Sequence, residues 1–185
     1  MKVRAALLVA LIGVLGLGTA APASARPVTV DVTIPPTTIA GTDIVVSGTL
    51  SARISHFSVR DGHVVAVAKV SGTLTATSPT LGTATIAIAK ARVVLNADVQ
   101  ADCQGHLDID FHGVLQLKAT VTFTGTTGTA LTVAINETVP VRGSLSFSAQ
   151  TAEQTALICA ISELLSGGGS AQAIVDELNA LLEAL

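Results

Sequence analysis

Residues 96–112 read NADVQADCQGHLDIDFH, and the way this stretch folds back on itself decides the fold. Apolar and polar residues alternate on both sides of Cys103-Gln104-Gly105, a period of two that belongs to a strand and not to a helix. A three-residue hairpin loop takes glycine at its last position, where the backbone turns left-handed. With Gly105 there, Asp102 faces His106, Gln100 faces Asp108, Asp98 faces Asp110 and Asn96 faces His112. The other parity sets Ala101, Val99 and Ala97 against Leu107, Ile109 and Phe111, apolar against apolar. A two-residue loop would mix the faces, and a one-residue slip turns every side chain over. The stretch therefore predicts an antiparallel hairpin in this register.

The same alternation runs outward in both directions. Asp61-Gly62 is a two-residue turn signal of type I′, because both positions tolerate positive φ, and it pairs Arg60 with His63 and Phe57 with Ala66. On the outgoing strand the apolar phase is even at Leu50, Ala52 and Ile54, then odd at Phe57 and Val59. A β-bulge near Ser55-His56 restores it. A second switch, between Ile88 and Val93, predicts an irregularity near Lys90. From Leu107 to Phe123 the phase never breaks, and residues 130–147 hold one phase as well. Glu137 sits in that apolar phase close to Pro140, which predicts a broken or bent strand with Glu137 at an edge. Residues 27–33 alternate up to Pro35-Pro36 and predict an edge strand that stops there, since proline cannot donate to a ladder.

After residue 150 the period changes to 3.6. Thr151 with Gln154 three residues on makes a capping box, and Leu157, Ile158, Ile161, Leu164 and Leu165 form one stripe. Residues 166–170, SGGGS, end that helix and start another, with Ser170 as its cap. Ile174, Val175, Leu178, Leu181, Leu182 and Leu185 form the second stripe, and Asp176, Glu177, Asn179 and Glu183 take the other faces. The fold class that follows is mainly β (α+β). It is a long-stranded antiparallel twisted sheet, half-barrel or sandwich (26–150), with a C-terminal helical hairpin (151–185) packed on its apolar face.

The N-terminus reads as an export signal. MKVR is basic, a short apolar run follows, and Ala23 and Ala25 precede Arg26, the three parts of a signal peptide over 1–25 with cleavage after Ala25. The apolar run is shorter than a membrane span needs. Removing Lys2 and Arg4 from ten basic residues leaves eight against thirteen acidic ones, a net charge of −5. That balance excludes the basic footprint of a nucleic-acid binder. With no Trp or Tyr and four Phe, stacking platforms for bases are hard to build. Two cysteines in an exported chain predict one disulfide, Cys103–Cys159, with free thiols as the alternative. The bridge would pin the tip of the 96–112 hairpin to the first helix.

The hairpin register gathers Asp98, Asp102, Asp108, Asp110, His106 and His112 on one side of two strands. Like charges directly opposite are destabilising, so Asp98 and Asp110 call for solvent, a protonated histidine or a bound divalent cation. Carboxylates alone suit calcium and an Asp–His pair suits zinc. Same-face neighbours lie about 6.5–7 Å apart along a strand, so the two histidines cannot share one ion. A solvated polar face is the expected state and a shallow cation site the alternative. No G-x-S-x-G, H-E-x-x-H, glycine-rich phosphate loop or C-x-x-C occurs, so no catalytic residue and no cofactor is assigned.

RDGHVVAVAKVSGTLT (60–75), CQGHLD (103–108) and LICAISELLSGGGSAQAIVDELNALLEAL (157–185) together resemble a group of small secreted bacterial proteins. Its members share a D-G hairpin, a Cys before H-L-D and a second Cys in a Leu-rich helix ending in glycines. The resemblance covers roughly 43–185 and implies export and the disulfide, with no activity attached. Asp110, His112 and Lys118 depart from the Leu-rich continuation of that group, so a metal site is not implied by it. The expected function is that of a secreted, non-enzymatic protein, with an apolar ligand held between sheet and helices. The alternatives are a surface or matrix protein that self-associates through its strand edges, and a weak divalent-metal protein or metal-dependent hydrolase on the His/Asp face.

Overall fold

The computed structural model describes residues 27–124 and 130–185; the expected signal peptide, 1–25, lies outside the described residues. Six antiparallel strands follow one another in chain order: β1 (Val28–Thr38), β2 (Val45–Arg60), β3 (His63–Ser78), β4 (Gly82–Ala101), β5 (His106–Thr124) and β6 (Ala130–Ser148). Helices α1 (Ala152–Ser166) and α2 (Ala171–Glu183) complete the chain. The expected class holds, and the sheet goes further than a half-barrel: β1 also pairs with β6, closing it into a barrel.

Local chemistry sets the register. Asp61 and Gly62 take φ of 52° and 80°, as a type I′ turn requires, and Arg60 faces His63. The β2 bulge falls between Ile54 and His56, where the Ser55 hydroxyl donates to the Val67 carbonyl at 2.9 Å. The second irregularity lies where β3 passes from Val70 to Gly72 while β4 passes from Ala91 to Ile88, with Lys90 at φ 51°. Both phase switches are thus one-residue insertions that return the apolar set to the inside.

Two strand expectations need correcting. β1 does not stop at the prolines; it runs to Thr38 with an irregularity between Ile34 and Thr37 that takes up Pro35-Pro36. Nor is it an edge throughout, because Val32 and Thr33 pair with β2 on one side and with Gly143 and Arg142 on the other. β6 likewise runs unbroken through Glu137 and Pro140. Proline is tolerated there because β6 has a ladder only with β5 at that level, so no second neighbour needs its missing N–H.

The seam that closes the barrel rests on one glycine. A Cβ at Gly143 would stand 2.8 Å from the Asp31 carbonyl oxygen and 2.9 Å from Val32 Cγ1, so any side chain there would push β1 away from β6. The closure is partial along the barrel. The β4–β5 ladder runs only from Ala101↔Leu107 to Leu95↔Gly113. Beyond that point β4 (82–94) pairs with β3 alone and β5 (114–124) with β6 alone. The β5–β6 ribbon still buries Leu115, Leu117, Val121, Phe123, Ile135 and Val139, in one core with Ile34, Ile44, Val46, Leu74 and Ile86 of the other strands and the β1–β2 loop.

The helices plug the other end. Leu178, Leu181 and Leu182 of α2 meet Val28, Phe57, Leu107, Ile109 and Phe147 at the barrel mouth. Asn179 is not a solvent-facing residue of α2 as expected: its amide accepts from the Phe57 N–H (2.8 Å) and donates to the Phe57 carbonyl (3.1 Å). Phe57 lies past the stretch of β2 that β1 covers, so Asn179 supplies the missing strand partner. The first cap also departs from a reciprocal capping box. Thr151 Oγ1 accepts from the Gln154 N–H at 3.2 Å. The buried Gln154 side chain instead accepts from the Gln150 N–H (2.8 Å) and donates to the Ala184 carbonyl (2.9 Å), tying the start of α1 to the end of α2. Leu165, expected in the α1 stripe, is 37% exposed, while Ile158 and Ile161 are buried.

Candidate functional site

The apolar-ligand expectation can be tested on the barrel interior. The space between α2 and the barrel mouth is about 40 Å³, against the several hundred a small organic ligand occupies. Among the described residues the interface between α2 and the barrel mouth is packed closely, which leaves little room there for the expected apolar ligand. The reason is the size of the residues that meet there: Leu178, Leu181 and Leu182 of α2 against Phe57 and Phe147 of the barrel mouth.

The six polar residues of the 96–112 hairpin keep their predicted register but divide into separate groups. Asp102 N donates to the His106 carbonyl at 3.0 Å, and ladder pairs alternate between wide and narrow. Asp98 and Asp110 therefore face each other across a wide, hydrogen-bonded pair, which spaces the two carboxylates. Asp102 holds the loop: its Oδ1 accepts from the N–H groups of Gln104 (2.9 Å) and His106 (3.0 Å), and its Oδ2 lies 3.1 Å from His106 Nδ1. Those bonds, the His106 N–H foremost, hold the Asp102 carboxyl below the usual aspartate range. Gly105, at φ 92°, is buried against Ala149 and Thr155, and its carbonyl accepts from the Ala149 N–H at 2.8 Å. The loop so fixed presents Cys103 to Cys159, and the disulfide is formed.

Asp98 forms the second pair, its Oδ2 3.4 Å from His112 Nδ1. Asp108 and Asp110 are exposed and face Ser146 and Ser144 on β6. Among the described residues the one group of three potential ligands in mutual reach is Cys103, Cys159 and Glu163, whose sulfurs are already bonded to each other. The hairpin face thus holds two Asp–His pairs and no three-ligand set.

A wider hollow lies on the outer wall where β4 and β5 part. A furrow of about 640 Å³ is lined by Arg60, Asp61 and His63 from the β2–β3 turn, Val94 and Asn96 from β4, His112, Gly113 and Val114 from β5, and Pro140, Val141 and Arg142 from β6. Register explains the arrangement. Asn96, His112 and Arg142 are successive cross-strand partners and form a polar row. One step along, Val94, Val114 and Pro140 form an apolar row, continued by Val67, the β3 partner of Val94. Val114 is 60% exposed, the most open large hydrophobic among the described residues. Arg60 lies 3.8 Å from Asp61, whereas Arg142 has no ion-pair partner among the described residues.

His112 is the one predicted site residue that lines this furrow, with its partner Asp98 in an adjoining hollow that His63 and Asn96 share. Arg60, His63 and Arg142 were not legible as a site. The Asp61-Gly62 turn places the first two beside one another, but the β5–β6 register that brings Arg142 beside His112 is carried by a glycine- and threonine-rich connection with no defined turn signal. No protein-family model, curated protein or solved structure matches this chain. Among the described residues no helix is long and apolar enough to cross a membrane. The disulfide is compatible with an oxidising, extracytoplasmic compartment.

Proposed function

We propose that this is an exported, non-enzymatic binding protein, released by cleavage after Ala25, whose ligand lies in the outer furrow. The observation that carries the reading is a contrast of volumes: about 40 Å³ between α2 and the barrel mouth and about 640 Å³ on the wall between β4 and β5. The furrow combines apolar floor residues with a few convergent polar groups, the usual composition of a small-molecule site. A disulfide-held barrel offers a rigid frame, which lowers the ordering cost of binding. The resemblance to small secreted bacterial proteins accords with export. Native mass spectrometry of protein taken from its own secretion medium tests the reading. The expected result is a co-purifying small molecule that is lost in His112→Ala; a bare chain mass, or an adduct indifferent to that change, overturns it.

A second reading has one observation in its favour. β4 (82–94) and β5 (114–124) each carry a ladder on one side only, and unpaired edges are templates for another chain. Self-association as a surface or matrix component predicts an oligomer that grows with concentration in sedimentation. A monomer across that range removes it.

A further inference from the structure

We infer that the furrow takes an elongated monocarboxylic acid, its head group on Arg142 and His112 and its apolar body across Pro140, Val114 and Val94. The inference rests on the furrow being the ligand site and names what that site selects.

Charge decides the head group. Arg60 is answered by Asp61 at 3.8 Å, and His112 turns Nδ1 to Asp98 at 3.4 Å. Arg142 is the furrow residue whose charge has no counterpart among the described residues. A guanidinium fork matches a carboxylate with two parallel N–H···O bonds. Asp61 on the rim and Asp98 beside His112 repel a second negative charge, so the selected species is a monoanion. Asp98 Oδ2 lies 3.4 Å from His112 Nδ1, which leaves Nε2 as the imidazole nitrogen to offer the ligand, and Asn96 is the cross-strand partner of His112 in the same row.

Geometry decides the body. The polar and apolar rows are one same-face step apart, about 7 Å along the strands. A ligand with its head on the polar row and its body on the apolar row therefore runs obliquely to the strands. At the polar row, where β4 and β5 are still paired, β6 to β4 is two strand spacings, about 10 Å. Beyond it the two strands part and the path lengthens, so the body is an extended chain of roughly eight carbons or more. Val114, 60% exposed at the middle of that path, is the residue such a chain would cover.

The test uses the exported chain with its disulfide intact, titrated calorimetrically with decanoate, decanol and decyltrimethylammonium below their micelle concentrations, with amide shifts mapped by NMR. Decanoate is expected to bind and to move the amides of Asn96, His112, Val114 and Arg142, with decanol about tenfold weaker for want of the charge-assisted bonds. Arg142→Gln is expected to weaken decanoate about tenfold and leave decanol unchanged, which also reports that the variant is folded. Val114→Asp is expected to weaken both. Decanol equal to decanoate, the cation preferred, or Arg142→Gln without effect each overturns the head-group assignment and leaves the furrow as ligand site. Decanoate shifts confined to α1 and α2, or no binding by any of the three probes, overturns the inference; a furrow ligand of other chemistry would then still be seen in the secretion-medium experiment.

Discussion

The barrel is closed at its two ends by different means. At one end the cover is a separate helical hairpin, reached only after the last strand, and it is held by a disulfide, the Gln154 and Asn179 side-chain bonds and a leucine stripe. At the other end the sheet covers itself: β5 and β6 leave the ladder with β4 and fold their apolar side onto β1–β4. Strands that are already paired in the barrel arrive at the far end in register, whereas a hairpin of helices has to be fastened. The fasteners therefore gather at one end, while the furrow opens where the other kind of closure begins.

The largest effect is expected at the disulfide that fastens the helical end. Cys103→Ser with Cys159→Ser removes a bridge spanning 56 residues and is expected to cost about 4 kcal/mol in the chain-entropy model. Amide exchange should rise first in α1 and α2 while the β2–β3 ladder stays protected; uniform loss of protection would show that the ends are not independent. Gly143→Val attacks what both ends share. The side chain would collide with Asp31 and Val32, and a destabilisation of about 3 kcal/mol, read from the urea midpoint, is expected in both ends together. Gln154→Ala removes the bonds to Gln150 and Ala184 and should cost about 1–2 kcal/mol, with faster exchange confined to the helix termini.

The smallest effect is a pH dependence with a contributor at each end. Asp43 accepts from Thr80 Oγ1 (2.8 Å) and Ser78 Oγ (3.0 Å), joining the β1–β2 loop to the β3–β4 turn. The Thr80 hydroxyl, then that of Ser78, holds its carboxyl below the usual aspartate range, as the His106 N–H does for Asp102. A folded-state value below the unfolded one gives stability that is present above the unfolded pKa and lost as pH falls through the folded one. Asp43→Asn and Asp102→Asn should each flatten the acid limb of a stability–pH curve, the first loosening the ribbon end and the second the helical end. An unchanged acid limb in both would mean that these carboxylates are not coupled to folding.

What was legible in the sequence was local. The Asp61-Gly62 turn, the Cys103–Gly105 loop and the two bulges could be placed because a period of two leaves one register that keeps apolar residues together. Barrel closure could not, since it depends on two residue pairs between the first and last strands and on the absence of a side chain at Gly143. Proline ends neither β1 at 35–36 nor β6 at 140, because its cost depends on whether a neighbouring strand needs the N–H. The six-residue polar face was placed in the right register and its role misdivided: Asp102 and His106 hold a turn, while His112 faces a furrow whose other wall comes from β6. Arg142 and Val114 carry no local signal, since each is an ordinary outward position until β4 and β5 separate.

The disulfide has a consequence for how the molecule matures. With two cysteines in the whole chain, one intramolecular connectivity exists, so oxidation has no wrong partner to undo. Cys103 precedes β5 and β6, and Cys159 follows them; in a chain that emerges N-terminus first, the early thiol waits while the remaining strands are delivered. Its bond therefore records delivery of the sheet: a molecule with the bridge in place has already made all six strands and brought α1 alongside the end of the fourth. Forming this bond calls for an oxidant, and there is no second intramolecular pairing for disulfide exchange to correct.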